Sequence, residues 1–368
     1  MSSIALNDVS LRFADGTRGL DAIDLTIADG EFVALVGPSG SGKTTLLRSI
    51  AGFIAPTRGD IRIGGEVVAG EKTFVQPENR KLGMVFQQHA IWPHWDVARN
   101  VGYSLKLAGQ PRAARAARVS EVLELVGLAG MEKRNPATLS GGQRQRVALA
   151  RALASTPRVL LLDEALSALD EPLRDRLRLE LRSLTRAMGL TVVHVTHDRD
   201  EALALADRVV VLDQGRIQQV GTPEQLVHEP RTAFIASFLS DATVIPGRMT
   251  DHGFTADDHL LRIARDRIEG GHSDGAGSVA ILPGDITLHP ATGDGPQGIV
   301  VSSLFGREGS DVVVTWNGID FRCLVPGPRP TVGERYSIAV SRALYYPADP
   351  SGAPQRQPTA LALSHPAS

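Results

Sequence analysis

The chain has 368 residues, which is more than one typical domain contains, so its length predicts two domains. Hydrophobic residues make up 42% and charged residues 22% of the sequence, a balance that is ordinary for a soluble globular protein. The 39 Lys and Arg residues against 41 Asp and Glu residues leave a formal net charge of −2, which argues against nucleic-acid binding. The single cysteine, Cys323, excludes an internal disulfide, and we interpret it as a small buried hydrophobe.

No apolar run in the sequence approaches the roughly 18 residues that a membrane-spanning helix needs. Residues 1–8 also lack the basic segment and apolar core of a secretory signal. We therefore expect a cytosolic protein, or one that reaches a membrane only by holding a membrane partner.

Residues 4–36 are predicted to form a set of antiparallel strands joined by turns, because apolar residues alternate with polar ones between Asp-Gly turn signals. Phe13 stands just before the first of these turns. Its ring either stacks on a planar base or packs in the core, and the sequence pattern leaves both interpretations open.

The apolar run at 32–36 leads into a glycine-rich turn that reads GPSGSGKTT from Gly37 to Thr45, and a helical run follows. This strand, turn and helix start is the context of a phosphate-binding P-loop. Glycines let the backbone N–H groups approach and surround an anion, to which the helix start adds its positive dipole. Lys43 supplies a positive charge for phosphates, and the Thr44 hydroxyl can ligate Mg²⁺.

The middle of the sequence predicts a hairpin at Gly64-Gly65, a strand over 82–86 that ends at Gln87, and a segment rich in aromatic residues from His89. Two histidines in that segment lack further metal ligands at suitable spacing, so a protein contact is favoured there. Residues 97–153 are predicted to be mostly helical, with arginines at 112, 115 and 118 on a solvated face. Ser140, followed by two glycines, predicts a helix N-cap and a second potential phosphate site.

Residues 158–164 read RVLLLDE, an apolar run that ends in two acids. This pattern is typical of a buried parallel strand that delivers Asp163 and Glu164 at its carboxyl edge. Beside phosphates, the first acid can hold Mg²⁺ and the second can deprotonate water. Residues 173–188 are predicted to form a helix whose arginines are solvated. Further strands are predicted at 191–195, before His197, and at 208–212, before a hairpin turn. Residues 223–239 are predicted to be helical.

The last third of the chain has a different pattern. Residues 240–277 show little periodicity and are predicted to be a linker with a weak strand or two. Short strands over 278–346, with a strong hairpin signal at Asn317-Gly318, predict a small β-barrel. Residues 350–368 are rich in Pro, Ser and Ala and are predicted to be disordered.

Taken together, six motifs in this order make residues 4–239 resemble the ATP-binding subunit of a bacterial ABC importer. The motifs are GPSGSGKTT, VFQQ with Gln87, LSGGQ from Leu139, LLLDE ending at Glu164, SALD from Ser167 and VTHD with His197. The barrel, with ILPGD from Ile281, resembles the OB-like accessory domain of importer ATPases for sugars, polyamines and ferric iron. The implied fold is an α/β P-loop NTPase with an antiparallel β subdomain and a helical subdomain at about 97–154, followed by a small all-β OB-like barrel.

The resemblance implies a role for each matching residue. Glu164 would be the general base and His197 would contact the γ-phosphate of ATP, with Lys43 and Gln87 completing the catalytic set. Thr44, Gln87 and Asp163 would surround Mg²⁺. The residues implied to hold ATP are Phe13, Gly37, Pro38, Ser39, Gly40, Ser41, Gly42, Lys43, Thr44 and Thr45, joined from the other protomer by Ser140, Gly141 and Gly142, with Asp170 at the dimer seam. Importer subunits often have proline where this chain has Ala165, and we expect only a small effect on loop rigidity.

The resemblance also implies partners: a second copy of the chain, an integral membrane permease met by residues 88–99, and indirectly an extracytoplasmic solute-binding protein. The chain would then sit on the cytoplasmic face of the inner membrane. Ferric iron is the preferred solute, with polyamine, phosphonate and sugar also open, and no nucleic acid is expected. One alternative is a soluble ABC ATPase that acts on nucleic acid or ribosomes, although such proteins usually carry tandem ATPase domains, coiled coils or zinc modules. Another is a non-catalytic scaffold, and the presence of both Glu164 and His197 argues against it.

Overall fold

The computed structural model describes residues 2–166, 171–270, 274–291, 297–306 and 309–348. The chain divides into two compact units after Pro223. Most of the SALD motif, including Asp170, and the predicted disordered tail lie outside the described residues.

The first unit combines two sheets with seven helices among its described residues. Its strands are β1 (Ile4–Arg12), β2 (Arg18–Ile27), β3 (Phe32–Val36), β4 (Arg58–Ile63), β5 (Glu66–Gly70), β6 (Thr73–Phe74), β7 (Leu82–Val85), β8 (Val159–Asp163), β9 (Thr191–Val195), β10 (Arg208–Asp213) and β11 (Arg216–Gly221). Its helices are α1 (Lys43–Ala51), α2 (Val97–Val101), α3 (Tyr103–Leu107), α4 (Arg112–Leu125), α5 (Gly141–Ala154), α6 (Glu171–Ala187) and α7 (Arg199–Leu205).

The six-stranded sheet that organises the first unit has the order β11-β10-β3-β9-β8-β7 and is parallel except for β11. Every residue of β3, β8 and β9 is buried. Parallel strands of this kind are continuously apolar because helices or a second sheet cover both faces of their sheet. The predicted buried strands at 32–36 and 158–164 are therefore confirmed, and their carboxyl ends lie at one edge of the sheet.

The second sheet of this unit is antiparallel, with the order β2-β1-β4-β5-β6. Its apolar face shares one buried core with α1 and the parallel sheet. The predicted antiparallel pairing is confirmed for β1 with β2, and so is the hairpin at Gly64-Gly65. It was wrong for residues 32–36, because this fully apolar strand pairs in parallel with β9 and β10.

The helical segment forms α2 to α5, as predicted for residues 97–154, and Val119, Val122 and Leu123 are the buried stripe of α4. The prediction for Arg118 was wrong. Its guanidinium donates to the carbonyls of Leu153 (2.9 Å) and Ala154 (3.2 Å) at the end of α5, where terminal carbonyls lack helical partners. A spacing pattern on α4 alone does not reveal that α5 ends beside it.

The second unit contains two helices and two sheets among its described residues. The helices are α8, which begins at the unit boundary (Pro223–His228), and α9 (Ala233–Ser240). The strands are β12 (Thr243–Thr250), β13 (Gly253–Ala256), β14 (Arg262–Ala264), β15 (Ile268–Gly270), β16 (Gly275–Ile281), β17 (Ile286–Pro290), β18 (Gln297–Phe305), β19 (Ser310–Trp316), β20 (Ile319–Val325), β21 (Arg335–Val340) and β22 (Ala343–Pro347).

Two predictions for this part of the chain were wrong. The continuous helix over 223–239 is divided by residues 229–232, and Thr232 caps the second helix. Residues 240–277 are no linker, because β12 to β16 fall within or begin in this range and join a sheet with the order β14-β13-β12-β16-β22-β15. These strands are stabilised by partners distant in sequence, such as Ile281 opposite Thr243, and local periodicity does not report such pairing.

The remaining strands form a five-stranded sheet, β17-β21-β18-β19-β20, and the two sheets share one core in an all-β arrangement. The predicted hairpin between β19 and β20 is confirmed: Asn317 and Gly318 both have positive φ, as a two-residue hairpin turn requires. Cys323 is fully buried in this core, as predicted. No helix in the part of the chain that the structure describes is both long and apolar enough to cross a membrane.

Candidate functional site

The glycine-rich turn between β3 and α1 adopts a conformation that several of its glycines require. Gly37 has φ 153°, and a Cβ atom there would lie 2.1 Å from the carbonyl oxygen of Leu212. Gly42, the residue before α1, has φ 102°. The turn therefore exists in this form only with glycine at these positions, and it opens at the N-terminus of α1, where backbone N–H groups are free to bind an anion.

Lys43, the first residue of α1, turns its side chain back over this loop. Its Nζ donates to the carbonyl oxygens of Gly37 (2.8 Å) and Pro38 (2.9 Å). Burial lowers the pKa of Lys43, while the negative charge of Glu164 acts in the opposite direction. Lys43 Nζ also lies 3.4 Å from the Ser41 hydroxyl. A buried cation held by neutral oxygen atoms can exchange these partners for an anion, which binds it more strongly.

Asp163 and Glu164 lie where β8 leaves the sheet. Asp163 is buried, and this burial raises the pKa of its carboxyl group, with Arg48 opposing the shift and Glu164 adding to it. Glu164 has φ 48°, in the left-handed region that non-glycine residues rarely occupy, and its N–H donates to the carbonyl of Val195 at 2.9 Å. Unusual backbone geometry at the end of a buried strand is typical of functional sites.

Three predicted residues meet at this edge because β7, β8 and β9 are adjacent and parallel. The side-chain amide of Gln87 donates to Glu164 Oε2 at 2.6 Å. His197 Nδ1 lies 3.5 Å from the same oxygen, and the His197 side chain is 62% exposed. The P-loop follows β3, the parallel neighbour of β9, so Lys43 lies at the same edge of the sheet as these three residues.

The N-cap predicted at Ser140 is confirmed. Its hydroxyl accepts from the N–H of Gln143, whose side chain accepts in return from the Ser140 N–H, so the two form a capping box at the start of α5. Gly141 and Gly142 are the first two residues of that helix. The capping box joins residues at the start of α5 to one another and does not involve Glu164.

Phe13 follows β1 and is 41% exposed, so the interpretation as a core aromatic was wrong. The turn behind it is closed by a bond from the Gly16 N–H to the Phe13 carbonyl. An exposed ring on a closed turn is available to stack on a planar base.

The aromatic segment after Gln88 packs on the helical segment. Trp92 and Trp95 each contact Tyr103, with ring centroids 4.9 and 5.1 Å apart. The buried side chain of Asn100 accepts from the Trp92 N–H and donates to the Trp92 carbonyl. Arg151 of α5 holds the start of the segment through the carbonyls of His89 and Ala90. The segment, which follows Gln87 closely in the sequence, is therefore a fixed and partly exposed aromatic surface.

Sequence reasoning missed several residues of this neighbourhood. The arginines of α6 were predicted to be solvated, yet the Arg178 side chain is mostly buried and donates to Asp198 Oδ2 at 2.6 Å. His194 and Glu201 form a buried pair behind His197, at 2.8 Å. A histidine inside an otherwise apolar strand was the one sequence signal that pointed to this pair.

Residues 20–167 match the protein family described as ABC transporter. The chain is 44% identical over 307 residues to the Fe(3+) ions import ATP-binding protein FbpC of Agrobacterium fabrum (strain C58), covering 82% of this chain and 85% of that one. It is 40% identical over 339 residues to the protein of the same name from Escherichia coli (strain K12), covering 92% and 95%. It is also 43% identical over 320 residues to the spermidine/putrescine import ATP-binding protein PotA of Marinobacter nauticus, covering 84% of each.

Among solved structures, the chain is similar to the ATP-binding cassette MJ0796 in its dimeric post-hydrolysis state bound to ADP and Pi. The TM-score is 0.54 with 32% identity, and the match covers 60% of this chain and 98% of that one.

Proposed function

Because the chain belongs to the ABC transporter family, in which relatives named as import ATP-binding proteins cover most of its length, we propose that it hydrolyses ATP to drive solute import through a separate membrane permease. The observation that carries this proposal is the meeting of Gln87, Glu164 and His197 beside the P-loop lysine. A scaffold that only bound nucleotide would need no acid in such a position.

ATP binds with its phosphates in the P-loop and its adenine on the exposed ring of Phe13. Lys43 Nζ exchanges the carbonyls of Gly37 and Pro38 for phosphate oxygens, which repays its burial with a full ionic contact. The loop residues that enclose the phosphates are Gly37, Pro38, Ser39, Gly40, Ser41, Gly42, Thr44 and Thr45. Pro38 has no N–H, and the Ser41 N–H donates to the Pro38 carbonyl at 3.2 Å. The other loop residues supply the N–H groups of the anion site at the start of α1.

The residues Thr44, Gln87 and Asp163 fit a Mg²⁺ ion. A hydroxyl, an amide oxygen and a carboxylate are the oxygen ligands that this ion takes alongside substrate phosphates. Burial raises the pKa of Asp163, and a cation bound beside it would favour the ionised carboxylate again. When bound, Mg²⁺ neutralises charge on the phosphate oxygens.

Glu164 acts as general base toward the attacking water. The water oxygen forms a bond to the γ-phosphorus, the bond from that phosphorus to the β–γ bridging oxygen breaks, and the water proton passes to the Glu164 carboxylate. Gln87 and His197 both contact this carboxylate, so they orient it, and the exposed edge of His197 faces outward to the γ-phosphate. Lys43 stabilises the charge that develops on the phosphate oxygens.

The active form is a homodimer in which each ATP lies between the P-loop of one protomer and the start of α5 of the other. The Ser140 hydroxyl and the N–H groups of Gly141 and Gly142 then reach the γ-phosphate held by the partner, with Asp170 at the seam. The Ser140 N–H is used in the capping box, which keeps the first turn of α5 ordered and so supports this role. Hydrolysis removes the phosphate that both protomers hold, so the dimer opens and moves its membrane partner.

The aromatic surface formed by Trp92, Trp95 and Tyr103 is the contact for the permease, and it places the chain on the cytoplasmic face of the inner membrane. A fixed aromatic surface is typical of protein contacts. Its position directly after Gln87 links it to the hydrolytic site. An extracytoplasmic solute-binding protein would deliver the solute to that permease.

The solute is ferric iron in our preferred form of the proposal, with a polyamine as the alternative, since relatives with both names align over more than four fifths of the chain. The test is uptake of labelled ferric iron and labelled putrescine by cells that lack this chain, with wild-type protein or the Glu164→Gln variant returned. Restoration of one uptake by wild type alone supports import and names the solute. If neither uptake depends on the chain, both forms are contradicted.

A further inference from the structure

Behind the loop that carries His197 lies a buried polar network centred on Glu201. Glu201 belongs to α7 and is 2% exposed, and His194 of β9 is fully buried. His194 Nε2 lies 2.8 Å from Glu201 Oε1. The other carboxylate oxygen, Oε2, accepts the hydroxyl of Thr196 at 3.0 Å.

The same network closes over the loop itself. The Thr196 hydroxyl accepts from the N–H of Asp198 at 3.0 Å. The Asp198 carboxylate in turn accepts from the Glu201 N–H at 2.9 Å and caps α7. His197 therefore stands between two residues, Thr196 and Asp198, that are both tied to Glu201, and α6 adds a further hold because Arg178 donates to Asp198 Oδ2.

The protons of this network follow from its geometry. The Thr196 hydroxyl accepts from a backbone N–H, so its own proton points to Glu201. An ionised carboxylate can only accept hydrogen bonds. In the bond between Glu201 and His194, the proton is therefore on Nε2 of His194. Although burial opposes ionisation, the hydrogen bonds and charges around it, first among them the bond from His194, hold the pKa of Glu201 below its ordinary value.

We propose that Glu201 is a positioning residue for hydrolysis: it fixes the Thr196–Asp198 loop so that His197 faces Glu164, and His194 fixes Glu201. This inference rests on the proposed role of His197 at the γ-phosphate. The 3.5 Å approach of His197 Nδ1 to Glu164 Oε2 is the geometry that the network holds in place, since an exposed side chain on an unanchored loop would sample many positions.

A buried network of this kind also stabilises the fold, so the test must separate stability from positioning. A double-mutant cycle does this, because Thr196 and Glu201 act on hydrolysis through His197 in our account. Thr196→Val removes the hydroxyl and keeps the shape of the side chain. Thr196→Ser keeps the hydroxyl and serves as the rescuing variant.

The experiment measures ATP hydrolysis by the full chain, per ATP-binding site counted by equilibrium dialysis. We expect Thr196→Val and Glu201→Gln each to lower kcat by about tenfold or more with KM for ATP within about twofold, because small misplacements of catalytic groups carry costs of this order. Thr196→Ser should stay near wild type. In the His197→Ala background, Thr196→Val should have no further effect on kcat.

The control is Thr191→Val, since Thr191 is a buried threonine at the opposite end of β9 whose hydroxyl accepts from the N–H of Gly30. It should lower stability without changing kcat per site. Equal losses from Thr196→Val with and without His197, or wild-type kcat in both Thr196→Val and Glu201→Gln, would overturn the positioning role. A wild-type kcat in His197→Ala would instead overturn the proposed role of His197 itself.

Discussion

Gln87 and Glu164 are 77 positions apart in the chain, yet the amide of Gln87 donates a 2.6 Å hydrogen bond to Glu164 Oε2. The contact arises because β7 and β8 are neighbouring parallel strands that end at the same edge of the sheet. It joins the residue that precedes the aromatic surface to the residue that activates water in our proposal.

Replacing Glu164 with glutamine tests its role as base. The amide keeps the shape of the side chain and cannot take a proton from water, so ATP should still bind while hydrolysis falls by about a hundredfold or more. The variant should accumulate as an ATP-bound dimer, which light scattering after size exclusion detects. The exposed Glu66→Gln is the matched control; wild-type turnover in Glu164→Gln would show that another group is the base.

Lys43→Ala should abolish tight nucleotide binding. The side chain is the buried cation of the P-loop, and a hydrogen bond to a charged group contributes about 1.5–3 kcal/mol, which corresponds to roughly a tenfold to hundredfold weaker ATP complex. Fluorescence titration with a labelled ATP analogue measures this change. The exposed Lys72→Ala should bind as wild type does, and an unchanged affinity in Lys43→Ala would refute the assigned phosphate site.

Gly37→Ala should be far more harmful than Gly30→Ala. Both positions have positive φ, which costs a residue other than glycine about 1–2 kcal/mol, but only Gly37 adds a clash, with a Cβ atom 2.1 Å from the Leu212 carbonyl. We expect a lower Tm for both variants and loss of ATP binding for Gly37→Ala alone. Equal Tm shifts with intact ATP binding in both would contradict the described loop geometry.

The thiol of Cys323 should be unreactive while the second unit is folded. Burial raises its pKa from an ordinary value of 9.0 to about 12, with the negative charge of Asp311 adding to the shift. A thiol-specific reagent at pH 8 should modify the chain only after denaturant is added. Because the folded pKa is raised, this thiol favours the folded state fully below pH 9, and the contribution declines as the pH rises toward 12. Rapid labelling in native buffer would contradict the buried position.

The sequence predicts those parts of the molecule in which a residue type and a short spacing determine the structure. Lys43, Ser140 and the Asn317-Gly318 turn belong to this class, since a helix start or a tight turn depends on a few adjacent residues. The burial of β3 and β8 is also predictable, because continuous apolar runs occur where a parallel strand is covered on both sides.

The parts that escaped prediction depend on partners distant in sequence. The strands within 240–277 are stabilised by β16 and β22, and the arginines of α4 and α6 bind groups on other elements. The pair of His194 and Glu201 is of the same kind. Glu201 looks like a solvated acid in the first turn of α7 until the strand that contains His194 is placed against it.

We propose that this ATPase drives a membrane permease. The most direct test is affinity purification of tagged Glu164→Gln protein from detergent-solubilised cells with ATP, followed by mass spectrometry. The parallel samples are Lys43→Ala, which should not close around ATP, and Trp95→Ala, which disrupts the aromatic surface. We expect a polytopic permease to be recovered with Glu164→Gln and to be reduced in both other samples. Recovery of ribosomal proteins or nucleic acid, with no membrane protein, would contradict it.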